Sequence, residues 1–410
     1  MNDNQHLTTG DSRLARHLGR PGDYYWFLVA YLVCLSALGS FVNDMYTPAL
    51  PGMCRFFGCS VPVAQMGLAT GMTGLALGQL LLGPVSDKYG RKPVLIASAS
   101  LFVVSAVASV FSPTIHVFNL CRLFQGMGAS GGYFLARSIP ADVYTGRPLA
   151  KLMALIGAIN GIAPASAPVI GGFTADAFGW KGIFIVLAGF AALLLALSPV
   201  MDESLEPARR SKAGLWQSFG GYKNLIRNRP FIIHICLKGT ALGLLFAYIS
   251  SSPFILQTHY GLSQTSYGLL IGFNAIFVAG GSMAALKFRL LKSAASWGAL
   301  LVAVGVLCQA VALWTVHSIV LYEVFTLIML SGLGLIFTSS NTLAMNEGRS
   351  QAGEASSLLG ISGYAVGAVV TPLVGVGDIL HSTAVVYVAL AVTVAVFARL
   401  SSSLAADLGK

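Results

Sequence analysis

Gly83-Pro-Val-Ser-Asp-Lys-Tyr-Gly-Arg-Lys92 is a short charged stretch set between two apolar runs, Val61 to Leu82 and Pro93 to Phe111. A connection this short, between runs long enough to cross a bilayer, forces an antiparallel helix pair. Its cluster of Lys88, Arg91 and Lys92 also fixes the side of the membrane it faces, because inner loops carry the excess of Lys and Arg.

Working outward from that stretch, the 410 residues are 55% apolar and only 10% charged, too little polar surface to cover a soluble globule of this size. The chain reads as an all-α membrane protein whose apolar runs divide into twelve spans, each near the ~20 residues needed to cross a bilayer. The expected spans are 24–46, 62–83, 93–112, 115–136, 149–172, 180–200, 231–256, 264–286, 294–315, 318–344, 354–376 and 379–400. Internal Gly and Pro do not oppose helices here, since neighbouring spans satisfy the freed backbone groups.

The formal charge of +10 does not point to nucleic acid, because the cations are sorted by side. With the N-terminus placed inside, only Arg55 and Lys181 fall outside, Arg122 and Lys238 fall within spans, and the other 21 of the 25 Lys and Arg face the cytoplasm. Both termini are therefore expected to be cytoplasmic. The basic stretches Arg13 to Arg20 and Arg209 to Arg229 are expected to meet anionic headgroups of the lipid bilayer. The first 23 residues are polar and lack an apolar h-region, so no cleavable signal peptide is expected.

Met201 to Pro230 is the one polar break in the second half of the pattern, and it separates two sets of six spans. The expected organisation is a cytoplasmic segment 1–23, a six-helix bundle 24–200, a cytoplasmic linker 201–230, a second bundle 231–400 and a tail 401–410. Span 5 reads GAINGIAPASAPVIGG from Gly157 and span 11 reads GISGYAVGAVVTPLVG from Gly360, a weak echo consistent with duplication. Cys34, Cys121, Cys236 and Cys308 lie in spans and read as small packing residues. Cys54 and Cys59 fall in an outer loop, where both a disulfide and free thiols are open readings. No metal-ligand cluster appears, no cofactor is implied, and no span pairs a nucleophile with a base, so an enzyme reading has no support.

A charge within hydrocarbon costs ~2.5–3.5 kcal/mol even on mild insertion scales, so each needs a reason. Four stand out: Asp44 in span 1, Arg122 in span 4, Lys238 in span 7 and Glu323 in span 10. At ~1.5 Å per residue, Asp44 lies roughly 28 Å along its span and Arg122 roughly 9 Å below the outer boundary. A pair Asp44–Arg122 in the outer part of the first half is therefore expected; a solvated helix end is the other reading of Asp44. Lys238 has two readings, a cation in a central cavity and a side chain snorkelling to the inner headgroups. Tyr31, Tyr46, Tyr248 and Phe273 are the aromatics expected to line such a cavity.

The stretch GPVSDKYGRKP resembles the signature loop between helices 2 and 3 of the major facilitator superfamily, with Gly83, Asp87, Gly90, Arg91 and Lys92 all in place. The resemblance implies two parallel six-helix repeats around a central binding site, with helices 1, 4, 7 and 10 lining the cavity. It implies a gating role for the loop, with Arg91 reaching an acid on a neighbouring helix end, for which Asp142 is the candidate. Span 5, with Gly157, Gly161, Pro164, Pro168, Gly171 and Gly172, resembles the motif of drug:proton antiporters, departing from it at Ala163 and Pro168. Asn43 to Pro51, Leu120 to Ala129 and Tyr248 to Phe254 are similar to the bicyclomycin and chloramphenicol resistance branch. That likeness implies proton-coupling roles for Asp44 and Arg122 and an orienting role for Gln125, and Asn43 and Gln125 are expected to line the substrate cavity with Lys238 and the aromatics above; Glu323 joins the coupling set as the embedded acid of the second half. Lys238 departs from the branch, and as a cavity cation it favours neutral or anionic cargo.

The expected function is thus proton-coupled export of small organic molecules from the bacterial inner membrane by alternating access, working as a monomer. Export of a cellular metabolite or siderophore is the alternative, and a transport-inactive membrane receptor the rival of another class.

Overall fold

The computed structural model describes residues 21–210, 220–315 and 318–404. The basic stretch Arg13 to Arg20, most of the 1–23 segment, Lys212 in the linker and most of the 401–410 tail lie outside the described residues.

The described chain is helical from end to end. Its helices are α1 (Pro21–Asp44), α2 (Leu50–Phe57), α3 (Val61–Tyr89), α4 (Arg91–Val110), α5 (Ile115–Val143), α6 (Gly146–Leu197), α7 (Gly220–Arg227), α8 (Arg229–Pro253), α9 (Gln264–Ala285), α10 (Leu291–Thr315), α11 (Ile319–Glu347), α12 (Ala352–Val370) and α13 (Ile379–Ser403). Among the described residues, ten helical stretches are long and apolar enough to cross a membrane. One of them, α6, holds the expected spans 5 and 6, which meet at Gly179 with φ +67°. Helix α5, made less apolar by Arg122 and Arg137, completes twelve.

Two spans differ from expectation in ways that matter for function. The fourth runs to Val143 instead of ending at 136, because Arg137 is accommodated inside the helix and Pro140 does not break it. The first ends at Asp44, where Thr47 donates through Oγ1 to the Asp44 carbonyl at 2.9 Å and the chain turns into α2.

One hydrophobic core draws on Leu28 to Met201, with Phe246 and Phe254 reaching in from beyond, and a second on Leu237 to Ala398. Across their interface α6 packs on α9 and α3 on α12. Hydrogen bonds join the two bundles at the end remote from the 83–92 loop: Gln65 Nε2 to the Ser250 carbonyl at 3.0 Å, Gln257 Nε2 to the Pro48 carbonyl at 2.9 Å, and the Thr265 amide to Asp176 Oδ2 at 3.0 Å. Toward the loop end the bundles part around a cavity.

Candidate functional site

The cavity has two contiguous compartments, about 580 Å³ toward the loop end and about 530 Å³ deeper, which share Asn160, Gly161, Leu242 and Phe337. Lys238 on α8 lines the wider one and donates through Nζ to Asn341 Oδ1 on α11 at 2.7 Å. That places Lys238 on the cavity wall, with its ammonium held by a polar group of its own bundle. Asp44, Pro164, Pro168, Tyr248 and Asn274 line the deeper compartment, which is otherwise mostly apolar. Asn274 Nδ2 donates to the Tyr248 hydroxyl at 2.8 Å.

Asp44 and Arg122 do not form the expected ion pair. Arg122 is fully buried inside the first bundle, donating through Nη2 to the Val42 carbonyl at 2.7 Å and to Asn43 Oδ1 at 3.0 Å, through Nε to the Gly67 carbonyl at 3.3 Å, and through Nη1 to Gln125 Oε1. Its guanidinium also lies 4.4 Å from the centre of the Tyr46 ring. A buried guanidinium needs acceptors for five N–H groups, and this set of neutral oxygens and a π face takes them up. Asn43, Tyr46 and Gln125 are therefore turned to Arg122 and do not line the cavity, contrary to expectation.

Three further residues sit elsewhere than expected. Tyr31 is buried in the first core, where its hydroxyl donates to the Leu194 carbonyl at 3.1 Å. Phe273 is 49% exposed on the outer face of α9 beside Phe277, a position lipid tolerates without cost. Glu323 lies within the second bundle and lines neither compartment, close behind Asn274 and Tyr248 of the deeper one, and both of its carboxyl oxygens are buried without a hydrogen-bond partner.

The 83–92 loop closes on its own bundle and the linker. Arg91 Nε donates to Asp142 Oδ2 at 2.8 Å, and its Nη1 donates to Ser86 Oγ at 2.7 Å and to Asp87 Oδ1. Lys92 Nζ donates to the Pro199 carbonyl at 2.9 Å. Sequence reasoning missed Glu203, whose carboxylate accepts from the Arg91 amide at 2.8 Å and the Lys92 amide at 3.3 Å. It satisfies unpaired donors at the N-terminus of α4 and meets the positive end of the helix dipole. The signal was one acid of a cluster at the start of the polar break, indistinguishable there from its neighbours Asp202 and Glu206. Gly90, at φ +103°, lets this carboxylate approach, since a Cβ there would overlap Glu203 Oε2.

The small residues of span 5 divide into two sets. Gly157 and Gly161 line the cavity and have open space where a Cβ would point. At Gly171 a Cβ would overlap the Met45 carbonyl oxygen, and at Gly172 the Gln264 carbonyl oxygen, so these two allow α6 to touch the end of α1 and the start of α9. Gly83 makes no such close approach. Cys54 and Cys59 are free thiols, and the Cys54 thiol points to the Cys59 carbonyl at 2.7 Å.

A cavity between two six-helix bundles, closed at one end, is the architecture of a secondary transporter, and the sequence agrees: residues 32–372 match the Major Facilitator Superfamily. The chain belongs to this superfamily. This superfamily member is 32% identical over 379 residues, 91% of each chain, to the uncharacterised MFS-type transporter YdgK of Bacillus subtilis (strain 168). It is 28% identical over 248 residues, 60% of this chain and 63% of that one, to the multidrug resistance protein MdtL of Escherichia coli O157:H7. Its fold is similar to that of a bacterial homologue of the human lysosomal transporter Spinster in an inward-facing and occupied conformation, with TM-score 0.73 and 14% identity over 93% of this chain and 97% of that one. It is also similar to the xylose transporter XylE from E. coli in a partially occluded inward open conformation, with TM-score 0.67 and 16% identity over 90% and 98%. As a major facilitator it is a multi-pass secondary transporter of the bacterial inner membrane, and its relatives and fold are those of transporters.

Proposed function

We propose that this transporter exports small organic molecules in exchange for protons, as a monomer working by alternating access, and that it lies in the bicyclomycin and chloramphenicol resistance branch of drug:proton antiporters. The observation that carries the reading is Asp44, a carboxylate on the wall of a cavity between the bundles, buried to 8% exposure and with no ion-pair partner among the described residues. A lone acid in such a place is costly as an anion and is well placed to carry a proton when the cavity changes sides. The relative named as a multidrug resistance protein supports the cargo class.

On this reading the 83–92 end faces the cytoplasm, both termini are cytoplasmic and the bundles 24–200 and 231–400 are joined by the linker 201–230. The cavity then opens inward, ready to load cargo. Arg122 acts on Asp44 through the backbone of Val42 and the side chain of Asn43, with Gln125 holding the guanidinium. Glu323, a second buried carboxyl without a partner, is the counterpart in the other half. Asp87, Arg91 and Asp142 set the loop that meets the second bundle when the inner side closes.

Proton release from the purified protein on addition of chloramphenicol or bicyclomycin tests the reading. It is expected in the wild type and lost in Asp44→Asn at unchanged folding. Full release from Asp44→Asn refutes the coupling role, and the absence of release from the wild type with either compound refutes this cargo.

A further inference from the structure

The wider compartment carries an unusual pair of charges. Arg137 sits on α5 one turn from Tyr133, donating through Nη2 to the Tyr133 hydroxyl at 2.6 Å with its guanidinium 4.2 Å from the ring centre. Tyr133 lines the compartment from the first bundle, and Lys238 lines it from the second. The Arg137 guanidinium is thus one hydrogen bond behind the wall residue Tyr133, on the first bundle's side of the compartment, with Lys238 of α8 and Tyr364 of α12 on the wall of the second. Among the described residues neither cation has a carboxylate within ion-pair distance.

Two cations on opposite sides of one compartment, neither paired with an acid among the described residues, raise the energy of the empty site, since such groups ordinarily pair with an opposite charge. Asn341 takes up one of the three ammonium donors of Lys238 and leaves two free. The Arg137 guanidinium has five donors, of which Tyr133 takes one. The free donors suit a carboxylate, which accepts bidentate contacts.

The deeper compartment sets the other end of the ligand. Leu242, Leu245, Ile249, Ile271 and Val278 give it an apolar wall, and Asp44 stands within it. The apolar wall takes the apolar end and the cations draw an anionic head to the opposite end, so a ligand with one charged and one apolar end has a single favoured orientation. A small inorganic anion leaves the apolar wall wet. Each compartment, at about 580 and about 530 Å³, has the volume of an ordinary small-molecule site.

We propose that the cargo is an amphipathic organic monocarboxylate, its carboxylate held between Arg137 and Lys238 from opposite bundles and its apolar body directed toward Asp44. This rests on the coupled-export reading above but not on its two test compounds, which carry no carboxylate, and it assigns the charge and orientation of the cargo. Because the two holding groups come from different bundles, bound anion favours the state in which the bundles approach at this end, which links loading to closure.

Three isosteric probes decide it: phenylbutyrate, phenylbutyramide and phenylbutylamine, titrated calorimetrically into the protein in lipid nanodiscs. Phenylbutyrate is expected to bind at least tenfold more tightly than the amide, with the amine weakest. Arg137→Gln and Lys238→Gln are each expected to weaken the acid roughly tenfold or more and to leave the amide unchanged, as loss of a charge-assisted contact requires. Lys238→Arg is expected to keep the preference for the acid. Equal binding of acid and amide, tightest binding of the amine, no binding of the acid, or parallel losses of acid and amide in the variants overturns the proposal. The binding equilibrium needs no proton gradient, so this failure leaves coupled export standing, and absence of proton release from the wild type leaves the binding preference standing.

Discussion

Arg122 Nη2 donates to the carbonyl of Val42 at 2.7 Å, so the buried cation of α5 holds the backbone two residues ahead of Asp44 instead of the carboxylate itself. The relationship makes Arg122 a structural fastener of α1, α3 and α5 at the depth where α1 ends.

Removing that fastener strands several acceptors at once. Each buried group left without a partner costs about 1–3 kcal/mol, and Arg122→Ala takes the donor from Asn43 Oδ1, Gln125 Oε1 and the Val42 carbonyl. Thermal unfolding in detergent is expected to show a large fall in Tm for Arg122→Ala and little change for Asp44→Asn. An Arg122→Ala protein as stable as wild type contradicts the arrangement.

The antiparallel pairing around 83–92, the number of spans and the polar break were readable because they depend on hydropathy and charge sorting, which act on whole segments. Side-chain direction was not. In lipid the outer face of a helix is as apolar as the inner face, so the pattern that betrays the core side of a soluble helix is missing. Tyr31 and Phe273 were misplaced for that reason, one turned into a core and one out to lipid. Arg137 was hidden differently: hydropathy ends the fourth span just before it, whereas α5 continues to Val143 and brings it beside the cavity. The Asp44–Arg122 pairing followed from depth alone, and depth says nothing about the oxygens of Val42, Asn43, Gly67 and Gln125 that the guanidinium met first.

The two sets of glycines in span 5 are expected to respond oppositely to the same change. Gly171→Ala drives a methyl into the Met45 carbonyl, and backbone cannot give way cheaply, so thermal stability and expression should fall. Gly161→Ala meets open space, and its effect on stability should stay within about 0.5 kcal/mol. Similar melting curves for the two variants would show that the contact at Gly171 does not hold the bundles' first half together.

Glu203 is expected to matter through α4. Glu203→Ala removes the acceptor for the Arg91 and Lys92 amides, a change that costs about 0.5–2 kcal/mol at other helix starts. Glu203→Gln keeps an acceptor and loses only the charge, worth about 0.3–1 kcal/mol against the helix dipole. Denaturation midpoints should therefore rank wild type above Gln and Gln above Ala, and hydrogen exchange at the Arg91 and Lys92 amides should rise in the same order. An Ala variant that exchanges no faster at these amides refutes the capping role.

At the opposite end of the molecule, Asp176 on α6 accepts from the amide and the hydroxyl of Thr265, at the start of α9. The acid of one bundle thus meets the positive N-terminus of a helix in the other, and this contact exists only while the bundles are closed at that end. Asp176→Ala removes it from the closed state and from no other, so the equilibrium must move toward opening there. A bond to a charged group contributes about 1.5–3 kcal/mol when intact, which sets an upper scale of about tenfold to a hundredfold for the shift; solvent exposure of the pair reduces it. Thr47, buried on the wall of the deeper compartment, reports the opening. With Thr47→Cys as the single thiol, in a background whose six native cysteines are replaced, a membrane-impermeant maleimide added on the Asp176 side should react faster in Asp176→Ala than in the parent. Equal labelling rates, with both proteins folded, would mean that Gln65, Gln257 and the packing of Gly171 and Gly172 hold this end shut without help from Asp176.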